Sequence, residues 1–380
     1  MIKVPLFEPD LGQTEIDALA DVIRSKWLTM GDLTKRFEST FAEFTGSRHA
    51  VAMNSCTAAL HVALQCLDIK PGDEVICPSL AFVATANAVL YCGATPVFAD
   101  VESLNDWNIS SRTIQAVVSD RTRAIIVVHY GGYPCEMPAI MDFARSRGLA
   151  VIEDVAHAPG GKLDGVAMGA WGDAGCFSFF SNKNMTTGEG GMLTTDRADI
   201  AERAGRIRSH GMTTLTLDRD RGHAFGYDVL ELGYNYRMGE LNAAVGLVQL
   251  GELSARNRRR HAVAERYRRN LGECDGLGLP FLMARGEVTY HLFPVMLPTG
   301  CARLPVMQRM RDEGVQTSIH YRPIDTFTSY RKAGLGPKNH LAHTHVIGER
   351  VLTLPIFPSM TPDQVDHVSA TLKRAMSART

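Results

Sequence analysis

Several familiar signatures are missing from this chain of 380 residues. None of its eight cysteines falls in a Cys-x-x-Cys pair, which argues against a zinc or dithiol centre and leaves buried free thiols as the expectation. No Gly-x-Gly-x-x-Gly follows a strand-like run and no Gly-x-x-x-x-Gly-Lys-Ser/Thr occurs, so dinucleotide and P-loop readings lose their support. An excess of one charge is lacking too: 40 basic against 41 acidic side chains leave a formal charge of −1, and nothing global points to nucleic acid or a membrane. Apolar runs break at Asn, Gly or Pro before they could span a bilayer, and "MIKVPLFEPD" lacks the apolar centre of a signal peptide, so a cytoplasmic protein is expected. The basic run at 256–269 reads as a solvated helix, and the histidine cluster "HLAHTH" at 340–345 as a polar loop without metal.

What is present is a regular alternation. From about 50 to 195, short β-branched runs ("HAVAMN", "DEVICP", "TPVFAD", "RAIIVVHY", "LAVIED", "GCFSFF", "GGMLTT") are mostly followed by turn residues and amphipathic stretches. That pattern predicts an α/β fold with a mostly parallel sheet covered by helices, whose ligands bind beyond the carboxyl ends of the strands. From about 240 the texture changes to one long helix, 239–271, then weaker strands at "YHLFPVMLP" and "VQTSIHY" and a helical end at 361–377. Residues 1–250 are read as a large domain and 251–380 as a smaller α+β domain.

Three stretches carry chemistry. "VIEDVAHAPG" ends a strand in Glu153 and Asp154, one of which should face the crevice, where an acid suits a ribose, a metal or a protonated heterocycle. Lys183, in "FSFFSNKNMTTGEGGMLTT", follows a strand among Phe177, Phe179 and Phe180; partial desolvation there would lower its pKa toward a nucleophilic amine, and the glycines after it let backbone approach a ligand. "NSCTAALHVAL" starts a helix at about Thr57, whose free amides suit a phosphate as well as a cap. A phosphate cradle, an acid at a strand end and a lysine on a later strand together are what pyridoxal phosphate requires.

These blocks, with "WLTMGDLTKRFE", "GDEVICPSLAFVATANAV", "LGYNYRMGELNAAVGLVQL" and "RVLTLPIFPSM", make nearly the whole chain resemble a DegT-type sugar aminotransferase. The resemblance implies fold type I, with a seven-stranded sheet between helices. Lys183 would form the imine with pyridoxal 5'-phosphate and shuttle the proton, Asp154 would pair with the pyridine nitrogen, His157 would sit beside the phenolic oxygen and Phe82 would stack on the ring. Thr57, Ala58 and Ser178 would bind the phosphate, joined by Asn235 from a neighbouring subunit, so a homodimer with shared sites is implied. Arg237, His320, Tyr321 and Asp325 are implied on the substrate side; "HYRPIDTFTSY" replaces the family's usual "HYPPLHLQ", and Cys56 takes a glycine or alanine position. The activity implied is transfer of an amino group from L-glutamate to a keto sugar, most plausibly a nucleotide-linked 4-keto-6-deoxyhexose. A sugar dehydratase and a non-catalytic regulatory protein are the alternatives; related dehydratases carry histidine where this chain has Lys183.

Overall fold

The seven β-branched runs all become strands. The computed structural model describes residues 2–214, 222 and 226–377. The strands are β1 (His49–Met53), β2 (Glu74–Pro78), β3 (Thr95–Ala99), β4 (Thr122–Val128), β5 (Ala150–Asp154), a small separate hairpin of β6 (Lys162–Leu163) and β7 (Val166–Ala167), then β8 (Ala174–Ser178) and β9 (Gly191–Thr195). The main sheet runs β1-β9-β8-β5-β4-β2-β3. Only β9 is antiparallel to its neighbours, so the sheet is mostly parallel, as the alternation with helices requires.

Side chains alternate across the strands and build a core on each face. On one face Met53, Ile126, Ile152 and Cys176 pack beneath α3 (Cys56–Cys66), α4 (Ala84–Tyr91) and α7 (Ala198–Ile207). On the other, Ile125, Val127 and Val151 meet residues of α2 (Asp32–Thr45), α6 (Met137–Arg147) and the long α8 (Glu240–Leu271); α1 (Gln13–Ser25) and α5 (Ser111–Gln115) complete this part of the chain. Two-sided burial explains why β4 reads as a continuous apolar run.

A further core gathers residues after 260. The antiparallel pair β10 (Phe293–Met296) and β11 (Val351–Leu354) packs with α9 (Arg303–Asp312), with α12 (Pro362–Ser377) and with Tyr267 of α8. Between them lie the short α10 (Thr328–Lys332) and α11 (Ala342–Arg350). Helix α8 runs unbroken through position 250, where the sequence reading divided the chain. Among the described residues no helix is long and apolar enough to cross a membrane.

Three local expectations are corrected. "VQTSIHY" forms no strand, only isolated bridges of Val315 to Val4 and of Ser318 to Thr353. The basic run is not wholly solvated: Arg260 is buried and donates to the carbonyl of Ile356 at 2.9 Å, and buried Arg256 pairs with Asp10 at 3.0 Å. Long guanidinium stems let the α8 helix bury charge where backbone carbonyls or a carboxylate receive it. "HLAHTH" is not a loop throughout, because its last four residues open α11.

Candidate active site

The two acids that end β5 point to opposite faces, as period-two alternation demands. Glu153 lies on the α8 side, fully buried, and accepts from the amides of Gly169 (2.8 Å), Trp171 (2.8 Å) and Gly172 (2.9 Å). Its partner His129 sits 3.0 Å away; the Cys135 amide donates to His129 Nδ1, which leaves the hydrogen on Nε2 to donate to Glu153. Glu153 therefore ties down the 169–172 turn.

Asp154 faces the α3 side and is 6% exposed. The Thr85 hydroxyl donates to Oδ2 at 2.7 Å, the Ala156 amide to Oδ1 at 3.2 Å, and the Cys56 thiol lies 4.0 Å from Oδ1. Burial pushes its carboxyl above the usual range, against the pull of these hydrogen bonds and of the Lys183 charge.

Lys183 sits in the turn after β8, its amide donating to the carbonyl of Phe180 at 2.9 Å. Burial brings its ammonium down to about 8, opposed by Asp154 and Cys56. The flanking phenylalanines do not supply this burial in the way the sequence suggested. Phe177 and Phe179 pack under the sheet against Phe41, at 4.8 and 5.5 Å between ring centroids, and Phe180 is exposed. Strand alternation sends Ser178 toward the site and Phe177 away from it.

Three imidazoles feel the Lys183 charge: His157, His291 and His320, each held below its usual pKa by burial first and by Lys183 next, His320 at about 4. His157 stacks on His291 at 4.6 Å and lies parallel to Tyr321 at 5.9 Å. The Gly131 amide donates to His157 Nδ1 at 3.2 Å, so the hydrogen of the neutral ring is on Nε2 and donates to the Tyr321 hydroxyl oxygen at 2.9 Å. The Tyr321 proton is left free to point elsewhere. Phe82, 58% exposed and therefore no core residue, sits 6.3 Å from the Tyr321 ring.

The phosphate candidates meet at the start of α3, which begins at Cys56. Ser55 caps it by accepting from the Ala58 amide at 3.1 Å, so the cap has claimed one amide of the first turn while those of Cys56 and Thr57 precede the first intrahelical bonds. Ser178 is paired with Gly191 across β8 and β9, and a Cβ on Gly191 would come within 2.4 Å of the Ser55 backbone. The glycine thus serves a close approach of strand to helix start.

Asn235 and Arg237 lie where β1 ends: the Asn54 amide donates to the Tyr236 carbonyl at 2.8 Å and Met53 bridges to Arg237. Asn235 is exposed, and Arg237 Nη1 is buried without a hydrogen-bond partner among the described residues. Asp325 does not join the substrate-facing group. It is 7% exposed, with Ser79 donating to Oδ1 at 2.5 Å and His345 2.9 Å from Oδ2. The sequence reading missed Thr85 and His291. Thr85 lies within a quoted block, one helical turn after Phe82, but His291 stands just before β10 and carried no signal.

The donor set fits pyridoxal phosphate: an amine made reactive by burial and in no salt bridge among the described residues, a buried carboxylate within its field, and a helix start with free amides. A protein-family comparison agrees, matching residues 9–373 to the DegT/DnrJ/EryC1/StrS aminotransferase family. The chain is similar to the spore coat polysaccharide biosynthesis protein SpsC of Bacillus subtilis, 39% identical over 370 residues that cover 96% of this chain and 95% of that one. Among solved structures it is similar to the aminotransferase TlmJ from Streptoalloteichus hindustanus (33% identity, TM-score 0.90, covering 98% and 99% of the two chains). Spr1654 from Streptococcus pneumoniae, in its PLP-form, superposes with a TM-score of 0.91 at 26% identity, covering 98% of each chain. With the family match over nearly its whole length and a fold in common with these structures, the chain belongs to the DegT/DnrJ/EryC1/StrS family of pyridoxal-phosphate-dependent sugar aminotransferases.

Proposed function

We propose that this enzyme moves an amino group from L-glutamate to a nucleotide-linked 4-keto-6-deoxyhexose, in the cytoplasm, as a homodimer. The observation that carries the reading is the Lys183 amine, brought to about 8 by burial and set in the field of buried Asp154. Pyridoxal phosphate, when bound, supplies an aldehyde for amine capture and a ring that draws electrons from the reacting carbon.

The chain's own residues do the rest. Lys183 Nζ, neutral in a useful fraction near neutral pH, takes a proton from one carbon and returns it to the next. Asp154 holds a proton on the ring nitrogen, and Thr85 and Ala156 keep its carboxylate oriented. His157, neutral, gives its Nε2 hydrogen to the Tyr321 hydroxyl oxygen, and the two would stand beside the cofactor's phenolic oxygen. Phe82 offers an exposed ring face. The amides at Cys56 and Thr57 with the Ser178 hydroxyl make an anion cradle, and the exposed Asn235 of each subunit would reach the cradle of its partner. In this reading residues 1–250 form the cofactor domain and 251–380 the smaller one that brings His320 and Tyr321 to the site.

The two half-reactions alternate, so steady-state kinetics should be ping-pong. The test is the visible spectrum of the purified protein before and after L-glutamate. A yellow band that bleaches to the amino form of the cofactor supports both the Lys183 linkage and the donor. A band that ignores glutamate removes the donor assignment, and a protein that stays colourless with added pyridoxal phosphate removes the reading altogether.

A further inference from the structure

Two stretches close on the Lys183 site from different parts of the chain. Residues 79–85 leave β2 and carry Phe82 and Thr85; residues 320–326 carry His320 and Tyr321. They are joined at one point. Ser79 Oγ donates to Asp325 Oδ1 at 2.5 Å and accepts from the Asp325 amide at 3.2 Å, while the Ile324 amide donates to the Ser79 carbonyl at 2.9 Å. Ser79 is fully buried and Asp325 nearly so.

Helix α11 backs this joint. His345 Nε2 reaches Asp325 Oδ2 at 2.9 Å, and one turn further Gly348 lies so close to Pro323 that a Cβ there would come within 2.5 Å of the proline ring. Pro323 fixes its own φ, here −54°, and Ile324 is fully buried, so the link from Asp325 back to Tyr321 has little slack. At the far end of that link the Tyr130 hydroxyl donates to the His320 carbonyl and Tyr321 receives the His157 Nε2 hydrogen.

We propose that Asp325, held between Ser79 and His345, is a positioning residue that sets Tyr321 against His157 and Phe82. The inference rests on the function proposed above. Both carboxylate oxygens are engaged by the protein and neither is turned to a substrate, which is why a residue expected beside the sugar acts through its neighbour instead. Removing the carboxylate takes the acceptor from the Ser79 hydroxyl and from His345, and leaves the 320–326 stretch held to Ser79 by the Asp325 and Ile324 amides.

The experiment compares wild type, Asp325→Ala, Tyr321→Phe and the double variant. It reads the dissociation constant of pyridoxal phosphate from apoprotein, the position of the bound cofactor's visible band and the melting temperature. Each single variant should weaken cofactor binding by about tenfold and move the band alike, and the double variant should be no worse than either. Asp325→Asn, which keeps polar atoms toward Ser79 and His345, should recover most of the binding. Should Asp325→Ala not fold, Ser79→Ala removes one hydroxyl from the same joint and serves in its place. Asp325→Ala with a lowered melting temperature but wild-type band and affinity, or with an effect that adds in full to that of Tyr321→Phe, overturns the proposal. A wild-type protein that takes up no cofactor overturns the proposed function first, a result distinct from any variant's.

Discussion

Glu153 and Asp154 are consecutive in sequence and differ in chemistry because they face opposite sides of one sheet. On the α8 side Glu153 collects three backbone amides and the His129 ring, so its lone pairs are spent on holding a turn. On the α3 side Asp154 takes one short bond from Thr85 and a longer one from the Ala156 amide, keeps a carboxyl raised by burial and shares its surroundings with an amine lowered by burial. A fully satisfied buried charge is architecture, while an under-compensated one beside an opposed titratable group is poised for proton transfer.

The comparison can be broken at its strongest point first. Lys183→Ala should lower turnover by at least about a thousandfold, since in the proposed function it removes the amine that captures the cofactor and moves the proton, with little change in the unfolding curve. Steady-state kinetics beside thermal denaturation decide this. Turnover near the wild-type rate would end the assignment.

The paired acids come next. Asp154→Asn should cost turnover by about a hundredfold while the fold holds, because a neutral amide cannot keep the ring nitrogen protonated. Glu153→Gln should do the reverse, losing about 3 kcal/mol in denaturant unfolding as an amide NH2 replaces an oxygen that accepts from buried backbone amides, with the turnover of the surviving folded protein near wild type. If both variants lose activity and stability alike, the division between the faces is wrong.

pH gives a smaller, signed effect. With Lys183 at about 8, its neutral fraction falls about tenfold per unit below that pH, so cofactor capture by apoprotein should speed up toward pH 8 and level above it. The folded pKa lies below the ordinary 10.5, so the folded apoprotein binds fewer protons than the unfolded chain between about 8 and 10.5. This group's contribution therefore favours folding increasingly as pH rises through that window. Stopped-flow absorbance checks the capture rate, and a pH-independent rate would remove burial as its cause. Thr85→Val, which deletes one donor to Asp154, should weaken cofactor affinity by only about three- to tenfold in an equilibrium titration.

Much of this was legible without coordinates. Strands buried on both faces have mostly apolar centres, so β2, β4 and β5 declared themselves, and the 32-residue α8 was visible because no proline interrupts it. Lys183, Asp154 and the α3 start were singled out by their places after strands. The environment of Lys183 was misjudged, because adjacent phenylalanines in sequence point under the sheet while the buried histidines arrive from positions 157, 291 and 320. Asp325 was misplaced for a similar reason: its partners Ser79 and His345 are far away along the chain, and no local pattern announces such a meeting.

The sequence by itself determined the alternation of strands and helices and proposed an amine and two candidate acids at their carboxyl edge, because these follow from local periodicity and from which side chains can do the chemistry. Tertiary structure alone decided which acid faces the amine, which imidazoles are neutral around it and which carboxylate holds a loop. Those outcomes depend on burial and on hydrogen bonds between residues distant in the chain, and desolvation is a property of the packed molecule, not of any stretch of it.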